Sequence, residues 1–258
     1  MSAKEINSIT GLIGSANLKA YYRFEDGALT TDSSGKGHTL TAIGSPYGVT
    51  GKFGGGVYTT TGPDVFSAVN HADFRPTTAF AIGGWYYTTY TGTNTHFIFQ
   101  SYSKNTNHAG FYIYLNGSHN FGMLIGRNTG TTSRTDYKST VGSTAVNDGN
   151  YHLLIAVWDG SYIRIYVDGE EEASGAWNKA PGYASTNYIR VGCRCQTGSN
   201  DTIFKGGHDD VFLWSGGLTA EEVKGIYTGW KKYNGLSNVS VKSVDGLAVS
   251  SINTFNGI

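Results

Sequence analysis

Apolar and polar residues alternate with a period of two along most of this chain, in short runs broken by glycine, asparagine, aspartate and serine. Such runs occupy residues 19–24, 79–88, 96–102, 110–115, 121–125, 151–158, 162–167, 188–193 and 209–214. Period-two alternation places one set of side chains on a buried face and the other toward solvent, so each run predicts a half-buried strand. In 162–167, Ile163, Ile165 and Val167 share one face while Arg164 points away. Trp85 and Trp158 fall within apolar strands and are expected in the core.

The breaks carry their own information. Asp168-Gly169 suits a two-residue type I′ hairpin, whose central positions both need positive φ, and Asp159-Gly160 and Asn116-Gly117 offer similar signals. Repeated hairpins favour an antiparallel meander over parallel strands joined by helices. The sequence predicts one helix, starting after Leu218. Thr219 is its N-cap, Glu222 stands at the capping-box position, and Val223, Ile226, Tyr227 and Trp230 form its apolar face. The expected organisation is an N-terminal segment 1–17, a sandwich over 18–231 and a tail over 232–258. Ile6, Ile9 and Ile13 suit a short amphipathic helix in the first segment. In the tail, Tyr233-Asn234-Gly235-Leu236, Val244-Asp245-Gly246-Leu247 and Phe255-Asn256-Gly257-Ile258 repeat every 11 residues, a pattern open to a small hairpin array or a flexible extension.

Composition narrows the chemistry. The 258 residues suit one large all-β domain plus a tail, and 37 glycines, 18 tyrosines and only 15% charged residues suit many short strands and turns. With 19 basic and 19 acidic side chains the formal net charge is zero, so nucleic acid is not an expected partner. No apolar run approaches the roughly 18 to 20 residues that cross a bilayer, so membrane insertion is not expected. Residues 1–17 lack the basic start and continuous apolar stretch of a secretory signal. Cys193 and Cys195 stand two apart in an apparent strand, where bridging would need Cα atoms about 6.5 Å apart, close to the limit of disulfide geometry. Free thiols are therefore expected, and no histidine at ligand spacing beside them supports zinc.

Three segments together suggest a family. They are 18–38 (LKAYYRFEDGALTTDSSGKGH), 151–169 (YHLLIAVWDGSYIRIYVDG) and 206–227 (GGHDDVFLWSGGLTAEEVKGIY). The set resembles the laminin G-like branch of the concanavalin A-like lectin and glucanase superfamily over roughly residues 18–230. That resemblance implies an all-β jelly-roll sandwich used mostly to bind glycans or proteins and only sometimes to cleave sugars. It also implies a structural Ca²⁺ where the acidic loop meets the late Asp-Asp pair, matched here by Asp26, Asp32 and Asp209. The chain departs from the pattern at His208, where the family usually has an apolar residue. Alternation supports a buried Asp209, because it shares the phase of Val211 and Leu213 and needs a partner: calcium, or backbone amides of the 32–37 loop.

Candidate chemistry elsewhere is sparse. The E-x-D-x-x-E string of the glucanase relatives is absent, and Glu170 and Glu172 follow a hairpin without apolar neighbours to raise a pKa, so catalysis is not expected. His152 alternates with Leu153 and reads as a structural side chain. For sugar stacking the candidates are Trp177 and Tyr183, with Asn178 as a polar neighbour and Tyr90 and Tyr102 as weaker alternatives; the competing reading of Trp177 is a lid on the open edge of the core. The expected function is a non-catalytic carbohydrate-binding or adhesion module on a virion, cell surface or extracellular assembly. Its expected partner is a glycan or surface polysaccharide, with a scaffold or virion protein docking through the tail in the structural alternative.

Overall fold

The computed structural model describes residues 15–60, 64–103, 109–127, 136–184, 188–193, 203–235, 243–244 and 247–248. Two antiparallel sheets form a sandwich. In chain order the strands are β1 Leu18–Tyr22, β2 Thr41–Ile43, β3 Tyr47–Thr50, β4 Gly55–Thr59, β5 Val65–Ala68, β6 Phe80–Tyr87, β7 His96–Ser103, β8 Ala109–Leu115, β9 Asn120–Arg127, β10 Tyr137–Ala145, β11 Tyr151–Trp158, β12 Tyr162–Val167, β13 Glu170–Ala176, β14 Tyr188–Val191 and β15 Gly206–Ser215. The first sheet runs β13-β12-β11-β6-β15-β4-β3, with β1 also on β15, and the second runs β10-β9-β8-β7-β14-β5-β2. A short 3₁₀ helix, Ala72–Phe74, precedes β6, and helix α1 spans Ala220–Gly235.

Alternation decides what each face meets. Ile82, Leu154, Ile163, Ile165, Val211 and Leu213 from the first sheet pack against Phe99, Phe111, Ile113, Phe121, Met123 and Ile125 from the second. The opposite face of the first sheet is also apolar, because α1 covers it: Trp85, Leu153, Ile155, Tyr166 and Phe212 pack with Val223 and Ile226. The helix is held at its start by a reciprocal capping box. The Thr219 amide donates to Glu222 Oε2 at 2.8 Å and the Glu222 amide to Thr219 Oγ1 at 3.2 Å.

The turns differ in detail. Asp168 (φ 51) and Gly169 (φ 87) are both left-handed, as a type I′ hairpin requires. Asn116 instead opens a four-residue loop, its Oδ1 accepting the Ser118 and Asn120 amides while His119 takes the positive φ of 63. Strands β2 to β5, β10 and β13 were absent from the alternation pattern: β2 and β5 are only three and four residues long, β3 and β4 carry glycine, and β10 and β13 are largely polar on both faces. Cys193 is disulfide-bonded, contrary to the expected free thiol. The assumed strand geometry does not hold there, because β14 ends at Val191 and Gly192 turns the chain with φ 93. In the tail, Ser243–Val244 pairs antiparallel with Leu247–Ala248, but residues 233–235 of the first repeat unit continue α1 instead of forming a turn, so the helix runs past the expected boundary at 232; the last repeat unit and residues 1–14 lie outside the described residues.

Candidate functional site

The acids come together differently from their spacing. Asp209 is fully buried, but a bulge between Asp209 and Phe212, with Asp210 at φ 50, shifts the register. Asp209 therefore lies opposite Trp85 on the helix side of the sheet, while Val211 and Leu213 enter the core between the sheets. Its Oδ2 accepts the Phe53 amide at 2.9 Å, while its Oδ1 is buried with no hydrogen-bond partner. Burial, reinforced by Asp210 and Glu25, raises its pKa to about 8. The Asp210 carboxyl, which accepts the Tyr21 hydroxyl, is raised to about 6 by burial. A glycine-rich turn closes over these groups: Glu25 Oε2 accepts the Gly55 amide at 3.0 Å, and a Cβ at Gly51 would stand 2.6 Å from Asp209 Oδ2.

Asp32 is engaged by its own loop. Its carboxylate already accepts the amides of Tyr21 (3.1 Å), Ser34 (2.9 Å) and His38 (2.8 Å), which fixes its own loop. Asp26 is exposed and borders β3, its Oδ1 3.5 Å from where a Gly48 Cβ would stand. The orphaned Asp209 oxygen has Asp210 and Glu25 near enough to act on its charge, and an oxygen of this kind is what a hard cation takes, although the three carboxylates do not bring their oxygens within 4.8 Å of one another. His208 points the other way, into the core, with Nε2 2.9 Å from Thr59 Oγ1; burial lowers its pKa to about 3, so it is neutral.

The aromatic candidates are mostly turned inward. Trp177 is 8% exposed and belongs to the core cluster, its carbonyl accepting the Trp158 indole N–H at 2.8 Å. It closes the open end of the sandwich, so it is a lid residue and not an exposed loop tip. Tyr183 packs against the same core and donates its hydroxyl to the Pro76 carbonyl at 2.9 Å. Asn178 is exposed but stands beside a buried ring. Tyr90 is half-buried, its ring 4.1 Å from that of His96 and under the Lys205 ammonium at 4.7 Å. Tyr102 is 2% exposed in an aromatic cluster on the outer face of the second sheet. Glu170 is exposed and paired with Lys224, Glu172 accepts the Ser143 and Thr144 amides, and His152 is clamped between Asp168 and Asp148. Each of these polar groups has a structural partner.

An accessible aromatic surface occurs on the helix-bearing face of the first sheet, where Tyr151 borders the cluster under α1. The register aligns Tyr47 with Tyr58, Tyr58 with Gly207, Gly207 with Tyr87, and Tyr87 with Tyr151. Four tyrosines thus cross the strands β3, β4, β6 and β11 in one row. Their ring centroids are spaced 5.7, 6.5 and 5.5 Å apart. Tyr47 is 49% exposed, and Tyr58, Tyr87 and Tyr151 are half-buried. Gly207 makes the row possible, since a Cβ there would meet the Tyr151 hydroxyl at 2.5 Å. That hydroxyl reaches the Thr50 carbonyl at 3.3 Å, next to the turn over Asp209. The row and the acidic pocket are neighbours.

Comparison with known proteins agrees with this architecture. Residues 60–224, well over half of the chain, match the family model described as the concanavalin A-like lectin/glucanases superfamily. The chain belongs to this superfamily. No curated protein sequence matches it. Among solved structures it is similar to the binding domain of Paraclostridial Mosquitocidal Protein 1, with a TM-score of 0.68, 14% identity, and coverage of 83% of this chain and 52% of that one. Domain 4 of AbnA, an extracellular arabinanase from Geobacillus stearothermophilus, in complex with arabinotriose, gives a TM-score of 0.60, 18% identity, and coverage of 81% and 97%. The botulinum neurotoxin serotype D ligand-binding domain in complex with N-acetylneuraminic acid gives 0.64, 13%, and coverage of 88% and 52%. The chain spans about half the length of these toxin binding domains, and at such identities the likeness is one of fold.

Within this superfamily member, sequence reasoning missed the tyrosine row. Tyr58, Tyr87 and Tyr151 each occupy the solvent-facing phase of a strand, and that was the available signal. Their alignment depends on the pairing of β15 with both β4 and β6, which no local pattern encodes.

Proposed function

We propose that this chain is a non-catalytic carbohydrate-binding module whose platform is the row Tyr47, Tyr58, Tyr87 and Tyr151. The row carries the proposal because aromatic faces stack on the apolar faces of sugar rings, while phenol hydroxyls at their rims exchange hydrogen bonds with sugar hydroxyls. Its spacings are on the scale of successive sugar units, which suits a chain lying across the strands. The sugar-bound toxin and arabinanase domains support a glycan as the ligand class. We place the module on a virion, cell surface or other extracellular assembly. A calcium ion at Asp209, with Glu25 and Asp210 beside it, would hold the glycine-rich turn next to Tyr151 and the platform.

The test is binding to an array of arabinans, sialylated glycans and bacterial surface polysaccharides, followed by substitution. Losing a stacked ring should cost roughly 1 to 1.5 kcal/mol, about tenfold in Kd, so Tyr58→Ala with Tyr87→Ala should weaken binding about a hundredfold. Tyr47→Ala, at the exposed end, should weaken it with an unchanged melting curve. No reducing ends should be released from any bound polysaccharide. Full-strength binding by a folded double variant would remove the platform, and self-association through this face with no glycan bound would favour a structural role.

A further inference from the structure

A second site lies away from the tyrosine row and the acidic pocket. His38, His71 and Asp73 place one ligand atom each within 4.8 Å of one another, the one such group of three or more His, Cys, Asp and Glu among the described residues. Asp73 Oδ2 is 2.8 Å from His38 Nε2 and 3.3 Å from His71 Nδ1. The scaffold beneath is well held. The His38 amide donates to Asp32 and its carbonyl accepts the Tyr22 hydroxyl, and its ring packs at 4.9 Å on Phe74, which is fully buried. His71 caps the 3₁₀ helix, its Nδ1 accepting the Asp73 amide at 3.2 Å.

That cap fixes an electronic problem. A His71 Nδ1 that accepts the Asp73 N–H carries no proton, so its lone-pair side and the Asp73 carboxylate oxygen approach to 3.3 Å as two acceptors. A cation relieves this. Lys19 supplies part of one, but it stands 3.6 Å from the other oxygen, Asp73 Oδ1. In a tetrahedral site with bonds near 2.0 to 2.1 Å, neighbouring ligand atoms sit about 3.3 Å apart. The His71–Asp73 separation already has this value, and the His38–Asp73 separation would need to open by about half an ångström. Two imidazoles and one carboxylate suit zinc and similar divalent metals, not the all-oxygen preference of calcium.

We infer that His38, His71 and Asp73 form a zinc-class divalent metal site. His38 then carries its proton on Nδ1 and coordinates through Nε2, His71 Nδ1 exchanges the Asp73 N–H for the metal because its one lone pair cannot serve both, and water fills the fourth position. The test is calorimetric titration of the EDTA-stripped full chain with Zn²⁺ in millimolar Ca²⁺, which occupies oxygen sites without competing for imidazole. One zinc per chain should bind, and His38→Gln or His71→Gln should each weaken it by about tenfold or more. His71 is 54% exposed, so His71→Gln gives up only the 3₁₀ cap, should fold with a small drop in the melting temperature in EDTA, and decides the matter if His38→Gln misfolds. Co²⁺ should give visible tetrahedral bands without thiolate charge transfer. No stoichiometric uptake, or uptake unchanged in His71→Gln, would overturn the site.

Discussion

Trp85→Ala should lower stability by about 3 to 5 kcal/mol and depress the melting temperature by on the order of 10 °C. Trp85 is 1% exposed, with the Phe53 ring edge-on at 5.6 Å, the Tyr227 ring at 6.0 Å and the Lys52 ammonium over its face at 5.0 Å. It therefore joins three elements: the sheet, helix α1 and the glycine-rich turn that covers Asp209. A protein of this kind has only about 5 to 15 kcal/mol in total, so the loss is a large fraction of it. Trp85→Phe should recover part of the loss by refilling the space between sheet and helix. A urea midpoint for Trp85→Ala close to that of the unmodified chain would show that α1 does not depend on this contact.

Strands were readable where burial marks them: one buried face forces alternation, and burial on both faces leaves a short apolar run bounded by turns. Strand β12 shows the first case and β6 and β11 the second, and α1 is legible from its capping box and apolar stripe, both local signals. Strands β3 and β4 were not readable. Glycines there allow the close approach of Gly51 to Gly55 and of Gly56 to Gly51, and they carry no side chain to mark a face. Trp177 misled for a different reason. Asn178, Lys179 and Pro181 mark the chain around it as a loop, yet the ring itself turns back onto the sandwich and reaches the core. Position in a loop does not settle exposure. Asp209 was correctly expected to be buried and wrongly expected on the Val211 face, because a bulge adds a residue that simple alternation does not count.

That bulge leads to a prediction about pH and calcium. In chelator-treated protein, stability should fall as pH rises from about 6.5 to about 8. The folded-state pKa of Asp209 is raised to about 8, against about 3.9 for an unperturbed aspartate, so the native state keeps a proton that the unfolded chain has released. Its contribution is full below pH 4 and is lost as pH rises through 8. His208 has the opposite sign: with a folded-state pKa near 3 against about 6.5 when unfolded, its contribution is full above 6.5 and is lost as pH falls through 3. His96, lowered to about 4 mainly by burial, acts in the same direction. Between pH 4 and 6.5 these terms oppose Asp209 and Asp210, and above 6.5 the opposition ends. The limiting slope for one group is about 1.4 kcal/mol per pH unit, so about 1 to 2 kcal/mol should disappear by pH 8. His152, raised mainly by its hydrogen bond to Asp168, slopes the same way, so the Asp209 share is read as the difference from Asp209→Asn, which should flatten the profile. Calcium should hold the ionised form and reverse the trend, adding about 2.7 kcal/mol at 100 times Kd, with a larger gain at pH 8 than at pH 6. Asp209→Asn should abolish that gain. Identical melts in calcium and in chelator at pH 8 would remove calcium from this pocket, and a profile that Asp209→Asn leaves unaltered would show that the buried carboxyl ionises freely.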